Sequence, residues 1–153
     1  MDVINTDDMR RRFSEFVNTD FTKTSFNLKD IYDLPYNYIF YPGELAMLIG
    51  DTGIGKTAWI QNLVVSTPGL ECLYLSLEVH DHLIYRRFLQ IANGIKKDKV
   101  IDLHSVDLNG ELKEAITPIE HINIMTTSPE IGSMKQLITE LTPKIVVIDT
   151  IDA

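Results

Sequence analysis

Short apolar runs set between glycine-marked turns fill the chain after residue 43, whereas apolar positions before it are sparser and less regular. Leu45-Ala46-Met47-Leu48-Ile49 is wholly apolar and bounded by glycines, the pattern of a strand buried on both faces. Lys56 to Ser66 reads as a helix, opened by a glycine-rich loop and closed before Pro68-Gly69. Cys72 to Leu77 predicts a second buried strand. Asp81 to Asn93 predicts a helix with Leu83, Ile84, Phe88 and Ile91 on one side and Gly94 as its stop. Asn109-Gly110 marks a turn before a short helix over residues 111–116. A strand over Ile122–Met125, a helix over Ser133–Leu141 and a β-branched strand over Lys144–Asp149 complete the series. Strands alternating with helices imply an α/β fold with a parallel sheet.

The first 43 residues differ. Ile4, Met9, Phe13, Phe16 and Val17 recur at helical spacing, with Arg10-Arg11-Arg12 on the other side, so residues 2–17 predict a short helix. Residues 18–43 lose periodicity, gather Thr, Asn and Tyr with Pro35 and Pro42, and read as a linker. No internal repeat or low-complexity tract is present.

Composition narrows the class. In 153 residues, 44% hydrophobic and 24% charged side chains suit one globular domain with a real core and no staples. Uninterrupted apolar stretches reach only about five residues, too short for a transmembrane helix. The acidic start has no apolar signal-peptide region, and the single Cys72 forbids an intrachain disulfide and suits a reducing cytoplasm. A net charge of −8 argues against bulk electrostatic binding of nucleic acid but leaves room for a local phosphate site.

Such a site is written in Gly50-Asp51-Thr52-Gly53-Ile54-Gly55-Lys56-Thr57, followed by Ala58. It satisfies G-x-x-x-x-G-K-[ST] between a predicted strand and a predicted helix. Glycines let the backbone curl so that its N–H groups face phosphate oxygens, and the helix adds its positive end. Lys56 neutralises the terminal phosphates, and the Thr57 hydroxyl suits Mg²⁺. A chance match in a chain of this length is on the order of 1%. Ile145-Val146-Val147-Ile148-Asp149 supplies the second carboxylate such a metal needs, at the C-terminal edge of a strand where α/β sheets bind ligands. The glycine-rich pattern is that of a P-loop, and Thr150 stands where many P-loop ATPases carry a glutamate, so Glu78, at the end of the strand after the P-loop helix, becomes the candidate that polarises water. The alternative for Glu78 is a solvated charge beside the next helix.

Tyr41-Pro42-Gly43-Glu44-Leu45, the P-loop, Leu75-Ser76-Leu77-Glu78-Val79 and Ile148-Asp149 together resemble the RecA-like ATPase domain of DnaB-type replicative helicases. The resemblance covers residues 25–153, leaving 1–24 as an N-terminal helix and linker. It implies a three-layer RecA-like core, ATP and Mg²⁺ as cofactors, Lys56 and Thr57 on the phosphates and metal, Glu78 as the catalytic glutamate and Asp149 as the Walker B acid. It further implies a homo-hexamer that couples hydrolysis to translocation on single-stranded DNA, with no membrane role. Two departures stand out. Asn37-Tyr38-Ile39-Phe40 replaces the glycine pair usual before the Pro-Gly-Glu turn. The chain also stops four residues after Asp149, before the strand, DNA-binding loops and arginine finger the family carries, so it reads as a truncated core. The rival readings are a non-catalytic nucleotide-binding module and a P-loop kinase, the latter disfavoured by the Walker B run and the lack of a lid-like arginine cluster.

Other features have plainer readings. His80-Asp81-His82 reads as a helix cap with solvated histidines rather than a metal site. Arg86-Arg87 reads as a solvent-facing pair, Lys96, Lys97 and Lys99 as a solvated loop, and Tyr36, Tyr38, Phe40 and Tyr41 as packing against the sheet edge. Trp59 is core or interface.

Overall fold

The computed structural model describes residues 5–105, 110–126 and 130–149. In chain order they form α1 (Thr6–Val17), β1 (Phe26–Asn27), α2 (Leu28–Tyr32), β2 (Ile39–Phe40), α3 (Lys56–Val65), β3 (Cys72–Ser76), α4 (Asp81–Asn93), α5 (Lys97–Ser105), α6 (Glu111–Ile116), a 3₁₀ turn (Thr117–Ile119), β4 (Ile122–Met125), α7 (Ile131–Leu141) and β5 (Ile145–Asp149). The fold is mixed α/β around a three-stranded parallel sheet in the order β4-β3-β5.

β3 is central, and all five of its residues are buried, as expected for a parallel strand covered on both faces. Its register with β5 sets Cys72 opposite Ile145, Tyr74 opposite Val147 and Ser76 opposite Asp149. These pairs share one face, since strand side chains alternate. Against that face pack Leu63 and Val64 of α3, Ile84, Phe88 and Leu89 of α4, and Val100 and Leu103 of α5. Phe88 meets the Tyr74 ring edge-on at 5.3 Å. α4 ends at Gly94, whose φ of +62° is the left-handed stop that glycine accepts without strain.

Leu45–Ile49 is the main correction. It is no strand: Leu45, Met47 and Ile49 are 93%, 77% and 81% exposed. An apolar pattern encodes a preference for burial but does not supply a ladder partner. Both edges of β3 are taken by β4 and β5, and the outer edge of β5, with Val146 and Ile148 about two-fifths exposed, does not pair with the segment. Among the described residues the sheet ends there.

The predicted linker and loop carry more structure than their composition suggests. Within residues 18–43, β1 and β2 pair antiparallel, and the Asn27 side chain accepts from the backbone N–H groups of Lys29 and Tyr38. Lys97 and Lys99 lie on α5 rather than in a loop, because Val100 and Leu103, three apart, anchor it in the core. α1 is capped by Asn5, which accepts from Asp8 N–H at 2.9 Å, and buries none of its residues. Its Phe16 ring instead joins Phe21 and Tyr41 in an aromatic cluster. Phe40 stacks on Phe26, whereas Tyr36 and Tyr38 are exposed. Asn109 of the predicted turn and Thr150 lie outside the described residues. Among the described residues, no helix is long and apolar enough to cross a membrane.

Candidate phosphate and metal site

The loop before α3 takes its shape from two glycines. Gly53 and Gly55 have φ of +86° and +98°, where a side chain would strain the backbone. Gly55 stands at the N-cap of α3 and accepts from Trp59 N–H at 2.9 Å, so the helix starts at Lys56. The first N–H groups of α3, including those of Lys56, Thr57 and Ala58, have no partner within the helix and form its positive end. Gly50, Asp51, Thr52, Gly53, Ile54 and Gly55 are exposed, with the Ile54 side chain folded over Gly50. Lys56 Nζ donates to the carbonyls of Gly50 at 2.6 Å and Asp51 at 3.0 Å, so the ammonium sits over its own loop.

Second in the helix, Thr57 faces the sheet. Its hydroxyl donates to Asp149 Oδ1 at 3.0 Å, joining residues 92 apart in sequence. The other carboxylate oxygen, Oδ2, accepts from the Tyr74 phenol at 2.5 Å. Burial, followed by this bond and the carboxylate's charge, pushes the Tyr74 phenol well above the usual tyrosine range, so it stays a donor. Gln61, one helical turn beyond Thr57, is buried against the same phenol, though its Nε2 makes no well-formed hydrogen bond among the described residues.

The neighbouring strand ends are locked together. Leu77 N–H donates to the Asp149 carbonyl at 2.8 Å, which continues the β3–β5 pairing one residue past Ser76. Ser76 Oγ then bridges the turn, donating to Val79 O at 2.9 Å and accepting from Val79 N–H. Glu78 lies inside that bridged turn, exposed, at the same C-terminal edge of the sheet as Asp149. The serine of the Ser-Leu-Glu run thus shapes the turn that presents the glutamate.

The structure therefore brings Thr57 and Asp149 into contact, keeps Lys56 on the loop and puts Glu78 at the shared strand edge. The oxygen donors suit Mg²⁺, a hard cation held through carboxylate and hydroxyl oxygens. While its proton goes to Asp149, the Thr57 oxygen keeps lone pairs for a metal. Tyr74 and Gln61 escaped the sequence reading. The available signal was polar side chains at interior positions, Tyr74 within a strand that is otherwise nearly all apolar and Gln61 within the apolar stretch of α3.

The remaining candidates are structural. Asp81 accepts from the backbone N–H of His82 at 2.7 Å, a bond that lowers its carboxyl below the ordinary range, and the His80 and His82 rings stack. Trp59 stacks on Tyr32 at 4.8 Å, and the Tyr32 hydroxyl donates to the Trp59 carbonyl at 2.6 Å. Arg86 is not wholly solvent-facing: its Nε is buried without a hydrogen-bond partner among the described residues.

No protein-family model, curated protein or solved structure matches the chain.

Proposed function

We propose that the chain is the ATP- and Mg²⁺-binding part of a RecA-like ATPase of the DnaB helicase type, working in the cytoplasm. In the assembled protein this activity drives a homo-hexamer along single-stranded DNA. The observation that carries the reading is the Thr57–Asp149 hydrogen bond. It joins the P-loop and the Walker B strand end, two motifs with no reason to meet in a merely glycine-rich turn.

The chemistry assigned to each residue follows. Backbone N–H groups of residues 50–55 and the start of α3 bind phosphate oxygens, and Lys56 turns its ammonium from the loop carbonyls toward the terminal phosphates. Thr57 and Asp149 hold Mg²⁺, which when bound neutralises charge on the phosphates. Glu78 orients the attacking water by accepting its proton in a hydrogen bond.

The test uses Trp59, the chain's sole tryptophan, three residues past Lys56. Energy transfer from Trp59 to an N-methylanthraniloyl-ATP should saturate below about 1 mM nucleotide, tighten with Mg²⁺ and be reversed by unlabelled ATP. Absence of saturable transfer would refute the reading. Tight binding that never leads to hydrolysis, even in an assembled ring, would favour a nucleotide-switched module.

A further inference from the structure

Tyr74 is an unusual residue for the interior of a buried parallel strand. It is 0% exposed, and its oxygen must find a partner there. The register decides which one. Tyr74 lies opposite Val147 on β5, two residues short of Ser76, so Asp149 is its diagonal same-face neighbour. With strands about 4.8 Å apart and a rise of about 3.3 Å per residue, this diagonal is roughly 8 Å at the backbone, a gap that a tyrosine's length spans and a serine's does not. Phe88 fixes the ring from the side, and Gln61 lies against the phenol from α3. The result is a phenol aimed at Asp149 Oδ2 at 2.5 Å, while Thr57 occupies Oδ1. A carboxylate gripped at both oxygens cannot rotate.

We infer that Tyr74 is a positioning residue for the metal site: its phenol fixes the rotation of the Asp149 carboxylate so that Oδ1 stays on the Thr57 side. The inference rests on the nucleotide reading above and extends it to a residue the motifs do not contain. Groups that orient a metal-binding carboxylate in this way are typically worth about 10- to 100-fold in metal affinity.

The test is Tyr74→Phe in the 153-residue chain, which removes one oxygen and keeps the ring. The readout is Mg²⁺-dependent tightening of labelled ATP, followed through Trp59 and compared with binding in EDTA. Tyr74→Phe should melt cooperatively and match the wild type in EDTA, yet need about tenfold more Mg²⁺ to reach half its effect. In an Asp149→Asn background, the same change should move the Mg²⁺ midpoint by less than about twofold, because the group it orients has already been altered. An unchanged midpoint in a wild-type chain that binds Mg·ATP would overturn the inference and leave the nucleotide reading intact. Equal weakening with Mg²⁺ and in EDTA, or loss of the cooperative melt, would also overturn it, because the phenol would then be holding the fold. If the wild type binds no nucleotide, the underlying reading falls and this inference falls with it.

Discussion

Replacing Lys56 with alanine removes an ammonium that makes two hydrogen bonds to its own loop, to Gly50 O at 2.6 Å and Asp51 O at 3.0 Å. Both bonds are solvent-exposed, so their loss should change stability by less than about 1 kcal/mol. Nucleotide binding is different. A charge-assisted contact to phosphate is worth about 1.5–3 kcal/mol. In this structure, however, the ammonium must first leave two carbonyls, so the net loss belongs near the lower end. About 1.5–2 kcal/mol corresponds to a roughly 10- to 30-fold weaker nucleotide affinity. Energy transfer from Trp59 to the labelled nucleotide measures that ratio, and a circular-dichroism melt monitors the fold. An affinity within twofold of wild type would refute the phosphate role. A melt lowered by many degrees would show that the lysine holds the loop together instead.

Glu78→Gln should leave nucleotide affinity nearly unchanged while lowering turnover of a hydrolysing assembly by about 10²–10⁴-fold, read as phosphate release; a loss of only a few-fold would return Glu78 to a solvated role. Burial, with help from the Glu71 charge, pushes the Cys72 thiol from 9.0 up to about 12. The folded pKa lies above the unfolded one, so this stabilisation is complete below pH 9 and fades toward pH 12, at up to about 1.4 kcal/mol per pH unit. Melts from pH 7 to 10.5 should therefore fall steeply above pH 9, and Cys72→Ala should flatten that fall; an equal slope in the variant would refute the assignment. Exposed Met47 and Ile49 predict concentration-dependent self-association, which Met47→Lys with Ile49→Lys should reduce in solution-mass measurements. A wild-type chain that stays monomeric at high concentration would contradict this.

Periodicity located α4 at Asp81–Asn93 without error because its apolar positions and its Gly94 stop agree with each other. β3 and β5 were legible for a similar reason: short β-branched or apolar runs bounded by polar turns. The Leu45–Ile49 error shows the limit of that logic, since strand status belongs to a pair of segments and one sequence window describes only its own half. α5 was hidden because its lysines and aspartates interrupt the apolar pattern, and only Val100 and Leu103 face inward. At the candidate site, the glycine-shaped loop before α3 and the strand-end position of Asp149 could be read from spacing, because glycine conformation and strand-end acids are local signals. Tyr74 could not. Its partner lies 75 residues away, and only the β3–β5 register brings the two within reach.

The contact between Thr57 and Asp149 also has a bearing on how the chain acquires competence over time. The glycine loop and α3 are contiguous and can organise from local contacts, whereas β3 gains its ladder only from β4 and β5, and β5 must close a loop of roughly seventy residues to reach it. Pairings of such sequence separation form slowly, since chain entropy is lost before any contact compensates for it. Phosphate-binding amides would thus be in place before the carboxylate arrives, and metal dependence would develop only in the last folding phase. A refolding experiment should then show two nucleotide affinities in succession, an early weak one indifferent to Mg²⁺ and a late one that responds to it. The metal response would serve as a clock for strand docking.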